Sequence, residues 1–251
     1  MGVQKEASLI TMSHHIYFRI LGYLITIVMH SSNMLVMLNS FHGEPMKNDY
    51  VRHFSEMQYF FFTCWTFTFQ TIYAVLGLST DVLTLKNSKS PKYEPPKLVV
   101  EGREAMFSVL VWPSTVLVFT IFWSFFYYDR NLFFPKDIDL VITNTSNHIM
   151  HTHILPATLW EVMFRSRRPP KSHRWHVLGV LMVAVVYFRV LFMVHAIRGV
   201  WVYPIFGVLS GSILFYLFIL FVLAYLPVIY YTQWTLNSMI HGVRGMNKKV
   251  Y

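Results

Sequence analysis

The chain has 251 residues; 55% are hydrophobic, 18% aromatic and only 13% charged, and the formal net charge is +9. Soluble domains carry about 25% charged residues, so this deficit excludes an ordinary water-soluble domain and makes lipid the main solvent. The single cysteine, Cys64, excludes a disulfide framework and a paired-cysteine metal knuckle.

Six apolar runs follow in chain order, at roughly 16–38, 58–80, 106–128, 140–164, 177–197 and 205–231. Each approaches the ~20 residues that a helix needs to cross a bilayer. Lipid offers no partner to a bare N–H or C=O, so each run must be helical throughout. The expectation is an all-α, multi-pass membrane bundle of about six transmembrane helices. One membrane domain, 16–231, is flanked by an N-terminal arm, 1–15, and a basic tail, 232–251. No small-residue cleavage site follows the first run, so it is read as retained.

The positive charge is distributed unevenly. The segments before run one, between runs two and three, between runs four and five, and after run six hold 14 of the 21 Lys and Arg. Such an excess marks cytosolic loops, so both termini are expected in the cytosol. The basic loops suit anionic headgroups rather than nucleic acid. Lys248 and Lys249 stand fourth and third from the last residue and resemble a dilysine signal for the endoplasmic reticulum membrane. The plasma membrane is the alternative.

Ionisable groups at bilayer depth are costly and mark candidate sites. The candidates are His30, His148, His151, His153, Glu161, Arg189 and His195. Arg19 and Glu161 stand near expected cytosolic ends and are expected to snorkel. Arg189 is mid-run and needs a carboxylate or a watery cavity.

The stretch "SNHIMHTHILP", 146–156, holds three histidines. On a helix His148, His151 and Thr152 share one face, while His153 points elsewhere. Asn144 to Asn147 are good N-cap residues, so the helix is expected to start near residue 145. Pro156 removes the N–H that would bond the Thr152 carbonyl, which predicts a kink. A polar start, histidines and a kink describe a cavity-lining helix. The HxxHxH spacing resembles part of the histidine boxes of membrane di-iron enzymes. Those enzymes use several boxes and this chain has one, so neither metal nor cofactor is expected.

Nucleophilic catalysis needs a hydroxyl or thiol beside a base. The second run offers Thr63, Cys64, Thr66, Thr68 and Thr71. The residue pattern alone does not choose among them, since a membrane Thr usually bonds back to its own helix. Depth allows a meeting: Thr63 would lie ~7 Å and His151 ~9 Å in from the same side, and Cys64 reaches that depth too, rotated about 100° from Thr63.

Four stretches in order carry a resemblance: "FFFTCWTFTFQ" with "STD" beyond it, "FWSFFYYDRNLFFPK", "NHIMHTHILP" and "GVWVYP". Together they resemble the androgen-induced protein family, which includes the androgen-dependent regulators of tissue factor pathway inhibitor. The resemblance covers about 59–225. It implies an intramembrane hydrolase of fatty acid esters of hydroxy fatty acids, with a Thr nucleophile and a His base. The motif matches put these roles on Thr63 and His151. Cys64, His153 and Arg189 are not hallmarks of the family pattern. His148 and Asn147 are candidate oxyanion or substrate-binding groups, with a structural hydrogen bond as the alternative for His148. Arg189 is the candidate for the free carboxylate of a branched ester, with a backbone carbonyl as its alternative partner. No carboxylate orients His151, because Asp81 lies ~27 Å along the helix from Thr63. The expected partners are the lipid ester and the membrane. The competing classes are a lipid-binding or transport protein and a histidine-ligated metalloenzyme.

Overall fold

The computed structural model describes residues 2–88 and 93–245, and the side chains of 15–88 and 93–242. The Lys248–Lys249 pair lies outside the described residues. Ten α-helices follow one another, and no strand occurs among the described residues. They are α1 (Gly2–Ser40), α2 (Asp49–Glu56), α3 (Phe62–Lys86), α4 (Lys97–Met106), α5 (Trp112–Asp129), α6 (Asn144–His151), α7 (Ile154–Phe164), α8 (Arg174–Arg198), α9 (Pro204–Leu209) and α10 (Ile213–Gly245). The chain is an all-α membrane helical bundle.

Among the described residues, four segments are long and apolar enough to cross a membrane: His15–Ser40, Lys97–Leu132, Arg174–Arg198 and Ile213–Gly242. Six were expected. The two that differ are the polar ones. α3 has the length, 25 residues or ~37 Å, but it turns Thr66, Gln70, Thr80 and Asp81 into the protein. The fourth run is two helices, α6 of 8 residues and α7 of 11, each too short to span alone. α10 continues past residue 231 as helix.

Two prolines shape the interior. Pro113 cannot donate to the carbonyl of Val109, and its ring would crowd that oxygen. The chain widens just before it into a π-helix, Phe107–Val111, and the Trp112 N–H reaches back to the Phe107 carbonyl. Pro156 leaves the Thr152 carbonyl without its helical donor, and the Leu155 N–H takes it at 3.2 Å. The helix is broken there, at Thr152–His153, as the sequence predicts. Its start differs by a residue or two: the N-cap is Thr143, whose side chain accepts from the Ser146 N–H at 3.1 Å.

Charge is concentrated at the C-terminal end of α3. Arg19 Nε lies 2.7 Å from Asp81 Oδ2, and Arg103 Nη1 lies 3.0 Å from Asp81 Oδ1. Glu161 Oε1 accepts from Arg165 at 3.2 Å and Arg103 at 3.4 Å, and Arg165 also reaches Glu104 at 2.5 Å. Tyr23 and Tyr73 each donate to Glu161 at 2.5 Å, and Arg103 bonds the Tyr23 hydroxyl. Gly77 permits this, since a Cβ there would lie 2.6 Å from Tyr23 Cζ. The network ties α1, α3, α4 and α7. It corrects the expectation that Arg19 and Glu161 snorkel: Glu161 is buried, and Arg19 is held by an ion pair. Nor do the basic loops only face headgroups. Arg103 and Arg167 are buried, the latter over Phe107 and Trp234 with Gln233 Oε1 at 3.0 Å.

Candidate active site

α3 begins after an extended Phe61, and Thr63 falls in its first turn. The first N–H groups of a helix lack intrahelical acceptors. That of Phe62 donates to the Tyr203 hydroxyl at 2.9 Å, and Tyr187 donates to the Phe60 carbonyl at 2.9 Å. The entry to α3 is thereby pinned from α8 and from the loop before α9, and Thr63 with it.

α6 brings His151 to this point. Thr63 Oγ1 lies 3.3 Å from His151 Nε2. The other ring nitrogen, Nδ1, is 2.8 Å from the Asn147 side-chain oxygen and 3.1 Å from the Asn147 carbonyl. Both partners are acceptors in this placement, so Nδ1 carries the hydrogen and Nε2 offers its lone pair to the threonine. The ring is stacked on Phe122, centroids 3.4 Å apart and planes 4° apart. Trp123 Nε1 donates to the His151 carbonyl at 3.2 Å. His151 and Asn147 are both buried. An amide fills the orienting role for which the sequence offered no carboxylate.

The other sequence candidates are placed as follows. Asn147 contacts the base rather than the cavity. His148 bonds Thr152 Oγ1 at 3.0 Å and stacks on Trp123 at 5.2 Å, and it does not line the cavity. His153 is exposed on the break. Arg189 is exposed on α8, is not part of the cavity wall, and makes no ion pair among the described residues. Thr66 and Thr68 bond back to their own helix at 3.0 and 2.9 Å, and Thr71 bonds His30 at 3.2 Å. Cys64 lines the same cavity as Thr63, with Sγ 4.0 Å from Gln58 Oε1.

Thr63 and His151 line a cavity that opens to the outside. Its walls come mainly from α3, α5, α8 and α10, with single residues of α1, α2 and α9 and two of α6, and are almost wholly apolar. Sequence reasoning missed the supports. Phe122 and Trp123 came from one quoted motif and Tyr203 from another, without roles. Gln70, which donates to Thr115, Thr158 and the Ile154 carbonyl, fastens α3 to the start of α7. A single amide side chain in an otherwise apolar and threonine-bearing stretch of helix was the signal for it.

A half-buried Thr63 beside a buried His151, inside a helical bundle with membrane-long apolar segments, defines an integral membrane protein with a polar site in an apolar cavity. The FAR-17a/AIG1-like protein family model matches residues 18–237, and the chain belongs to that family. It is 39% identical over 124 residues to an androgen-dependent TFPI-regulating protein of Mesocricetus auratus, covering 48% of this chain and 53% of the relative. The human protein of that name is 36% identical over 144 residues, covering 56% and 59%. The human androgen-induced gene 1 protein is 31% identical over 138 residues, covering 54% and 58%. The chain thus spans a little over half the length of the curated relatives it matches. No solved structure matches it.

Proposed function

We propose that the protein is an intramembrane lipid ester hydrolase that cleaves fatty acid esters of hydroxy fatty acids. One observation carries the reading: Thr63 Oγ1 and His151 Nε2 are 3.3 Å apart at the head of an apolar cavity, with His151 Nδ1 bonded to Asn147. Nucleophile and base at hydrogen-bond reach, with the base oriented by a third group, is the signature of an activated nucleophile. Such contacts are often loose before substrate binds.

His151 Nε2 takes the Thr63 hydroxyl proton as Thr63 Oγ1 bonds to the ester carbonyl carbon. The tetrahedral oxyanion collapses, the ester C–O bond breaks, and His151 returns the proton to the departing hydroxyl of the hydroxy fatty acid. Water then attacks the acyl-threonine, giving one proton to His151 and passing it on to Thr63 Oγ1, and the fatty acid leaves. Thr63 stands at the positive, N-terminal end of a 25-residue helix, whose dipole favours negative charge developing beside it. The apolar walls suit a substrate that already lives in the bilayer. The basic loops support an orientation with both termini cytosolic.

The test is hydrolysis of a branched fatty acid ester of a hydroxy fatty acid by purified protein in detergent or liposomes. Wild type and Cys64→Ala are expected to be active. Thr63→Ala and His151→Ala, verified as folded, are expected to fall to background. An inert wild type overturns the hydrolase and favours a lipid-binding protein; an active Thr63→Ala overturns the nucleophile.

A further inference from the structure

We infer that the cavity is an acyl-chain ruler, in which the acyl half of the ester lies along α5, α8 and α10 and ends on Val109 and Leu110. This inference rests on the ester-hydrolase reading and adds which half of the substrate enters, and what measures it.

The cavity is long and has one closed end. On α5 its wall runs as a stripe from Phe122, which stacks on His151, to Val109 and Leu110 in the π-helix, ~19 Å away. On α8 the matching stripe runs from Leu191 to Val180, ~17 Å. Both exceed the ~15 Å that one leaflet's acyl chains span in a bilayer core of ~30 Å. The far end is packed with side chains: Phe107, Ile229 and Tyr230 are almost completely buried, and Trp112 Nε1 bonds the Ile229 carbonyl at 3.0 Å, locking α5 to α10. The π-helix sets the floor. Its wider turn presents Val109 and Leu110 together, and Val109 is wedged against α8 at Gly179, where a Cβ would come within 3.0 Å of Val109 Cγ1.

Polarity decides which half of the ester fits. The hydroxyls along this tunnel are already engaged: Ser114 bonds the Val111 carbonyl at 3.3 Å, and Tyr187 bonds the Phe60 carbonyl. No cation lines it, and Arg189 lies outside. A carboxylate buried there would lack a partner, at a large desolvation cost. The methyl-terminated acyl chain therefore fills the tunnel, and the carboxylate-bearing hydroxy acid stays at the mouth.

The whole chain is assayed in detergent with p-nitrophenyl laurate, p-nitrophenyl palmitate and mono-p-nitrophenyl hexadecanedioate, alongside the branched ester. Val109→Phe is expected to raise the laurate-to-palmitate ratio of kcat/KM by about tenfold, the scale on which apolar pockets discriminate chain length. Val109→Ala is expected to move the ratio the opposite way, and it decides the matter should the Phe variant fail to fold. The hexadecanedioate is expected to be cleaved at least about tenfold less well than palmitate. An active wild type whose ratio neither variant moves overturns the ruler and leaves the hydrolase standing. Equal turnover of the hexadecanedioate overturns the assignment of the acyl half. A wild type inert toward every ester overturns hydrolase and ruler together.

Discussion

The two ends of α3 handle buried polarity in opposite ways. At the last turns, Asp81 joins a cluster of three arginines and three carboxylates spread over four helices. At the first turn, Thr63 faces His151 among phenylalanines, an indole and an amide, and no charged side chain lines the cavity. A buried charge in apolar surroundings needs a partner of opposite sign. The first end avoids charge at rest and holds groups that become charged only as a proton moves between them. The charged end fastens helices together; the uncharged end is where the proposed chemistry would take place.

This contrast can be broken at either end. The largest effect is expected from Glu161→Leu, which leaves Arg103 and Arg165 without their shared carboxylate. Removing one partner of a buried pair costs about 3–5 kcal/mol, so the variant should melt well below wild type in detergent. An unchanged melting temperature would show that the cluster is not a fastening. Next comes Asn147→Ala, which frees the His151 ring to rotate and change tautomer. General-base catalysis contributes about 10²–10⁴-fold, so kcat should fall by ~10²-fold with KM nearly constant. A rise in KM alone would return Asn147 to substrate binding. A small loss is expected for His148→Ala, whose one hydrogen bond to Thr152 contributes ~1 kcal/mol of stability, measured by chemical or thermal unfolding. Least affected should be Arg189→Leu: cleavage of a carboxylate-bearing ester relative to its methyl ester should not change. A selective loss of the carboxylate-bearing ester would bring Arg189 back to the site.

The helical membrane class was legible because apolar run length is a direct physical requirement of the bilayer. The break at Thr152–His153 was legible because Pro156 removes a particular donor. What the sequence hid is tertiary. Arg19 and Glu161 look like snorkelling residues along a single helix, and only packing α1, α3, α4 and α7 together shows their partners. Arg189 looks buried because its run is apolar, yet its position on α8 turns it away from the cavity. The placement of Thr63 and His151 came from motif resemblance, and depth along two helices merely allowed it. The support from Phe122, Trp123 and Asn147 could not be read, because it depends on how α5 and α6 cross. The π-helix was equally silent, although Pro113 was its cause in plain sight.

The proposed nucleophile and base sit on different helices. His151 and its orienting Asn147 ride on one short helix, fixed to α5 by Phe122 and Trp123. Thr63 rides on α3, which Gln70 fastens both to Thr115 on α5 and to the start of α7 across the break. The Thr63–His151 gap is therefore set by how α3 seats against α5 and α6, two of them walls that a chain bound as proposed would press on. If the proposed hydrolysis holds, bilayer composition is expected to change turnover by acting on that same seating.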